Sequence, residues 1–275
     1  MTTSAPASCL SRAPRPDARL RLFCFHHAGG GASFFSSWAR RVPSDVDVLP
    51  VQLPGREARY REPRYQDAGE VVDALGRDLA PCLDAGPWAA YGHSMGALLS
   101  FALAAARLRA GGRGPDALFL GAYAAPHRTP TLPPPDRYED GELARLLVDF
   151  GGLDPRFLGR ADRLRGGAPG LPGPPPGLAG HPPGGAPGPG HAPGPPAPCR
   201  RGVGGAAGPP AGTDDPLVDP AAVRAWGRYV HRFRLTPVPG GHFFPREAPD
   251  AFFDRLNRSL ARLLAEPGAP PGAPG

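Results

Sequence analysis

The sequence contains no lysine and no isoleucine, and Asn257 is its single asparagine. Codons for these three residues are AT-rich, so their rarity describes a gene of very GC-rich DNA rather than a folding constraint. All 31 basic residues are therefore arginines, and the net charge of +6 says little about partners. The arginines are scattered rather than gathered on one stripe, and no nucleic-acid motif accompanies them, so nucleic acid is not an expected partner. Cysteine is scarce. Cys9, Cys24, Cys82 and Cys199 form no C-x-x-C pair and no dense framework, which argues against a metal centre or a disulfide scaffold. Cys24 and Cys82 stand in apolar surroundings and read as small core residues. No run of 18 apolar residues occurs, so no membrane span is expected. The stretch 1–18 lacks the apolar core of a secretory signal and reads as an unstructured N-terminus of a cytoplasmic protein.

What is present suits an α/β domain: 275 residues, 41% of them hydrophobic. Leu20–Phe25 reads as a buried strand ending at His26-His27-Ala28-Gly29-Gly30-Gly31. Ser33 to Arg41 reads as a helix with Ser33 as N-cap. Val46–Leu53 reads as a strand whose Pro50 suits a sheet edge. Asp67–Ala80 carries Val71, Val72, Leu75 and Leu79 on one helical face. Trp88–Tyr91, a helix from Ala97 and a strand at Ala117–Leu120 follow. Such alternation predicts a mostly parallel sheet flanked by helices. Arg232–Val238 reads as the last strand and 248–265 as a closing helix. The tail 266–275 is Pro/Gly-rich, with no reason to order.

The most informative stretch is Gly92-His93-Ser94-Met95-Gly96, between an apolar strand and a run of strong helix formers. G-x-S-x-G at a strand-to-helix junction is the nucleophile elbow of α/β-hydrolases, which makes Ser94 the candidate nucleophile. A serine hydroxyl needs a general base oriented by a carboxylate. His242, in Gly240-Gly241-His242-Phe243-Phe244, lies between the last strand and the last helix, where this fold carries its base. Of the other histidines, His26 and His27 precede a glycine turn, His93 is inside the elbow and His127 leads a proline-rich loop. His181 and His191 fall in low-complexity sequence, and His231 near a helix end. Asp214 and Asp215 precede His242 and give the order Ser, Asp, His of the α/β-hydrolases. No convincing strand precedes them. An oxyanion hole needs two backbone N–H donors; Met95 supplies one, and Ala28, or alternatively Gly29, the other. The glycine run is neither G-x-G-x-x-G nor a P-loop, so no nucleotide cofactor is expected.

Five blocks together resemble the type II thioesterases, stand-alone editing enzymes of polyketide synthases and nonribosomal peptide synthetases. They are His27–Ala32, Gln52-Leu53-Pro54-Gly55-Arg56-Glu57, Gly92–Gly96, Asp215–Val218 and Gly240–Phe244. The resemblance covers about residues 19–157 and 213–264, and the Leu-Pro-Gly-Arg-Glu block is its most specific part. It implies an α/β-hydrolase domain over 19–265 with Ser94 as nucleophile, Asp215 as acid, His242 as base, and Met95 and Ala28 as oxyanion donors. A monomer is the default expectation, and neither cofactor nor metal is expected. The substrate would be an acyl group on the phosphopantetheine arm of an acyl or peptidyl carrier protein. The alternatives are a small-molecule carboxylesterase of the same fold and an inactive carrier-protein-binding remnant.

A helical lid is expected at about 126–165, including an amphipathic helix at Glu139–Phe150. The 47 residues from Gly166 to Gly212 hold 15 prolines and 16 glycines, too little apolar surface to offset the entropy of ordering. Out-of-frame codons of GC-rich DNA encode this composition, which points to a local frame disruption where the family carries the rest of its lid. The chain also has His26 where the family usually has proline. Gly121–Pro126 stands where the family often carries Ser-Gly-Arg-Arg-Ala-Pro.

Overall fold

A computed structural model describes residues 9–65, 67–128, 210–230 and 232–265, with single helical positions at 142, 145 and 148. Four strands form a parallel sheet in the order β2-β1-β3-β4: β1 Leu20–Phe25, β2 Val46–Val51, β3 Trp88–His93 and β4 Ala117–Gly121. β1 is flanked by β2, with Leu22 opposite Val48, and by β3, with Leu22 opposite Ala89. Two short parallel strands, β5 Pro210–Gly212 and β6 Thr236–Val238, pair with each other, and β5 lies against β4. Pro50 falls on edge strand β2, the position that tolerates a missing N–H.

Side chains alternate across a strand with period two, and each strand here feeds two cores. Phe23, Phe25, Trp88, Ala90, Leu118 and Leu120 face one side. Helices α1 (Ala68–Asp84) and α2 (Met95–Arg109) pack there through Leu75, Leu79, Phe101 and Leu103. Leu22, Cys24, Ala89, Tyr91 and Phe119 face the other side, against Trp38 and the C-terminal helix. Asp67 starts α1 by accepting from the N–H groups of Gly69 and Glu70. Two short helices, α3 (Pro220–Arg224) and α4 (Phe244–Glu247), precede α5 (Pro249–Ala265). α5 buries Phe252, Phe253, Leu256 and Leu260, each worth about 1.5–3 kcal/mol of transfer free energy.

Several expectations need correction. Ser33–Arg41 is not an α-helix but two 3₁₀ turns, Ala32–Phe35 and Trp38–Arg40, and Gly31, not Ser33, precedes the first. The Ser33 hydroxyl is drawn to Glu57 instead. The unstructured reading of 1–18 fails from residue 9 onward. Cys9 and Leu10 are buried, the Gln52 N–H donates to the Cys9 carbonyl, and Arg12 and Arg15 converge on buried Asp47. The expected strand at 232–238 is a strand only over 236–238, where it pairs with 210–212 of β5. That partner is itself unexpected: the end of the Pro/Gly-rich stretch forms a strand immediately before the acid candidates. The rest of that stretch, the tail 266–275, His231 and Cys199 lie outside the described residues. So does the lid apart from 126–128 and positions 142, 145 and 148. These three positions are helical, in keeping with the helix expected at 139–150. No described helix is long and apolar enough to cross a membrane.

Candidate active site

The carboxyl ends of parallel strands share one rim, the usual place for ligand chemistry in open α/β sheets. All six residues of β3 are buried, and the strand delivers Ser94 to that rim at φ 54, ψ −120, a conformation that residues with a Cβ seldom adopt. Two hydrogen bonds and two close glycine packings hold it there. The Ser94 N–H donates to the Gly121 carbonyl at 2.8 Å, and the Ala97 N–H donates to the Ser94 carbonyl at 2.8 Å as α2 begins. Both flanking glycines are packed against backbone. A Cβ on Gly92 would lie 2.2 Å from the Gly96 carbonyl oxygen, and one on Gly96 would lie 2.1 Å from the Phe25 carbonyl oxygen. Gly96→Ala is therefore expected to cost about 3 kcal/mol or more, measured by urea unfolding, because the obstruction is backbone and cannot rotate away.

His242 and Asp215 reach the same rim from β6 and β5. His242 Nδ1 lies 3.0 Å from Asp215 Oδ2 and 3.2 Å from Oδ1. Both side chains are buried, at 8% and 2% exposure. The Asp215 carboxylate also accepts the Leu217 N–H, which fixes its orientation. Asp214 is exposed and meets Thr213 instead, so the choice left open by the sequence resolves to Asp215 as the neighbour of His242. The His242 ring sits 5.6 Å, centroid to centroid, from that of His93, the residue before Ser94. Glu247 clamps the histidine loop by accepting the N–H groups of Gly241 and Phe243.

Met95 opens α2, so its N–H belongs to those a helix N-terminus leaves without an intrahelical acceptor. The turn after β1, which carries Ala28 and Gly29, adjoins the elbow through the Gly96 contact with Phe25 and His26. Within that turn the Gly30 N–H donates to the His27 carbonyl, and His27 Nδ1–H donates to the Ala28 carbonyl at 2.7 Å.

Around His242 the structure gathers histidines that the sequence did not single out. The His27 ring packs on Phe34, Phe243 and His93, and His93 also pairs with the Tyr91 hydroxyl. Burial holds His26 down at about 4 and His27 at about 3, and pushes His93 well below the ordinary range. These rings are neutral near pH 7, so no second imidazolium opposes a proton on His242. The stability consequence has a definite sign. His26 and His27 titrate at about 6.5 when unfolded, so their contribution is complete above that pH and is lost as pH falls towards their folded values. Together they should cost about 3 kcal/mol between pH 6.5 and pH 5, read from urea midpoints; a flat profile over that window contradicts their burial as neutral rings.

The parallel sheet, the serine elbow and the structural neighbours define the α/β-hydrolase architecture. The chain belongs to the thioesterase domain family, whose profile matches residues 20–166. A thioesterase of the prodiginine biosynthetic pathway in Streptomyces coelicolor, RedJ, is 30% identical over 96% of each chain, with a TM-score of 0.69. The type II thioesterase BorB from the borrelidin biosynthetic cluster is 30% identical, with 95% of this chain and all of that chain covered, at a TM-score of 0.69. The gramicidin S biosynthesis protein GrsT of Aneurinibacillus migulanus is 40% identical over 40% of this chain and 42% of its own length. The chain spans about half the length of the curated relatives it matches.

Proposed function

We infer that a single hydrolase domain over 19–265 cleaves acyl thioesters carried on the phosphopantetheine arm of an acyl or peptidyl carrier protein. In that role it clears unwanted acyl groups from a polyketide or nonribosomal peptide synthase. One observation carries the reading: a buried Asp215–His242 pair at 3.0 Å stands beside a strained serine elbow. Ser94 Oγ attacks the thioester carbonyl while His242 Nε2 takes its proton. The N–H groups of Met95 and Ala28 donate hydrogen bonds to the oxyanion. The C–S bond breaks, His242 returns the proton to the departing thiolate, and a water activated by His242 hydrolyses the Ser94 ester to the free acid. Asp215 keeps the Nδ1 proton in place throughout. No cofactor enters these steps; the expected setting is the cytoplasm and the expected working form a monomer.

The family and the relatives named for biosynthetic pathways support a thioester over an ordinary ester. Measuring kcat/KM for propionyl-loaded carrier protein against p-nitrophenyl propionate tests this. Preference for the carrier-bound thioester is expected. Preference for the free oxyester would replace the reading with a carboxylesterase, and inertness toward both would leave only a carrier-binding remnant.

A further inference from the structure

The block Gln52–Glu57 carries no reacting atom in the mechanism above, yet its side chains reach across to the turn that follows β1. Gln52 Oε1 accepts the Ala32 N–H at 2.9 Å, while its Nε2 donates to the Arg56 carbonyl at 3.1 Å. Glu57 receives the Ser33 N–H on both carboxylate oxygens, at 3.1 and 3.3 Å, and the Ser33 hydroxyl as well. The same carboxylate lies against Gly31 so closely that a Cβ there would meet Glu57 Cδ at 2.3 Å. Glu57 holds these contacts at φ 41, a backbone conformation uncommon for a residue with a Cβ. Its carboxylate is directed to the turn, and it forms no ion pair with an arginine among the described residues.

The contacts form a continuous path. Glu57 and Gln52 fix residues 31–33, and Gly30 bonds back to His27. A Cβ on Gly30 would strike the His27 ring at 2.7 Å, and His27 fixes the Ala28 carbonyl. We propose that Glu57, assisted by Gln52, is a positioning residue that holds the 28–33 turn so that the Ala28 N–H stays aimed at the oxyanion. The inference rests on the serine-hydrolase reading given above. Its effect belongs to the transition state, because a ground-state carbonyl demands less of a donor's aim than the developing oxyanion does.

The test compares wild type, Glu57→Ala and Glu57→Gln with two pantetheine-linked probes. One is a trifluoromethyl ketone, which forms an oxyanion-bearing adduct with Ser94; the other is an uncleavable amide, which does not. Glu57→Ala should lower kcat by about 10- to 100-fold, less than the loss of a whole oxyanion donor. It should weaken the ketone by the same factor and leave KM and amide affinity within about twofold. Glu57→Gln keeps an acceptor for the Ser33 N–H and should recover most of the loss. Unchanged kcat in Glu57→Ala overturns the proposal, as does an equal weakening of ketone and amide. If Glu57→Ala fails to fold, Ser33→Ala carries the same comparison with a smaller expected drop. A wild type that cleaves only p-nitrophenyl esters removes the substrate reading, and the comparison then runs on that ester. A wild type that neither cleaves nor binds the ketone overturns both.

Discussion

Ser94→Ala should lower kcat for propionyl-carrier hydrolysis by about 10⁴- to 10⁶-fold while leaving the melting temperature close to that of wild type. The loss follows from the mechanism: without Oγ there is no ester intermediate, and His242 can act only on water already placed by the site. Stability should hold because the alanine keeps the Cβ, and the elbow is secured by backbone contacts to Gly121 and Phe25 that the hydroxyl does not make. Mass spectrometry of the carrier protein over time reads the result. Residual hydrolysis within about tenfold of wild type would mean that another group performs the attack.

Asp215→Asn should cost about 10⁴-fold in kcat, nearly as much, for a different reason. The Asp215 carboxylate accepts the His242 Nδ1 proton and so leaves Nε2 bare to receive the proton of Ser94. An amide in its place donates its own N–H to Nδ1, the ring proton moves to Nε2, and the base is lost although the geometry survives. Asp214→Asn is the matching control, since Asp214 is exposed and its carboxylate accepts from the Thr213 hydroxyl. Its kcat should stay within about twofold of wild type. Similar losses in the two variants would remove Asp215 from its special place.

The contrast between these two aspartates shows where the sequence is readable. Ser94 is legible because the elbow is local: a strand, two glycines and a helix within a few residues determine it. His242 is legible because it stands between a strand and an amphipathic helix whose periodicity is plain. Asp215 is ambiguous because the strand that presents it is three residues of Pro-Ala-Gly, held by pairing with β6 and contact with β4 rather than by propensity. The ordered N-terminal segment escapes for the same reason: Arg12 and Arg15 look like surface arginines until Asp47, more than 30 positions away, collects them. Ser33–Arg41 has the apolar spacing of a helix, but the bond from Ser33 to Glu57 binds that segment to a loop distant in sequence. The specific block at 52–57 was visible as a motif, while its target, the turn at 31–33, is a tertiary fact.

The most direct test is active-site labelling with a fluorophosphonate followed by peptide mapping, which needs no knowledge of the acyl group. The account predicts one label per chain, on Ser94, with the labelling rate falling at least about 10³-fold in His242→Ala and Asp215→Asn. Label on another residue, or an undiminished rate in those variants, would contradict a serine at position 94 activated by His242 and Asp215.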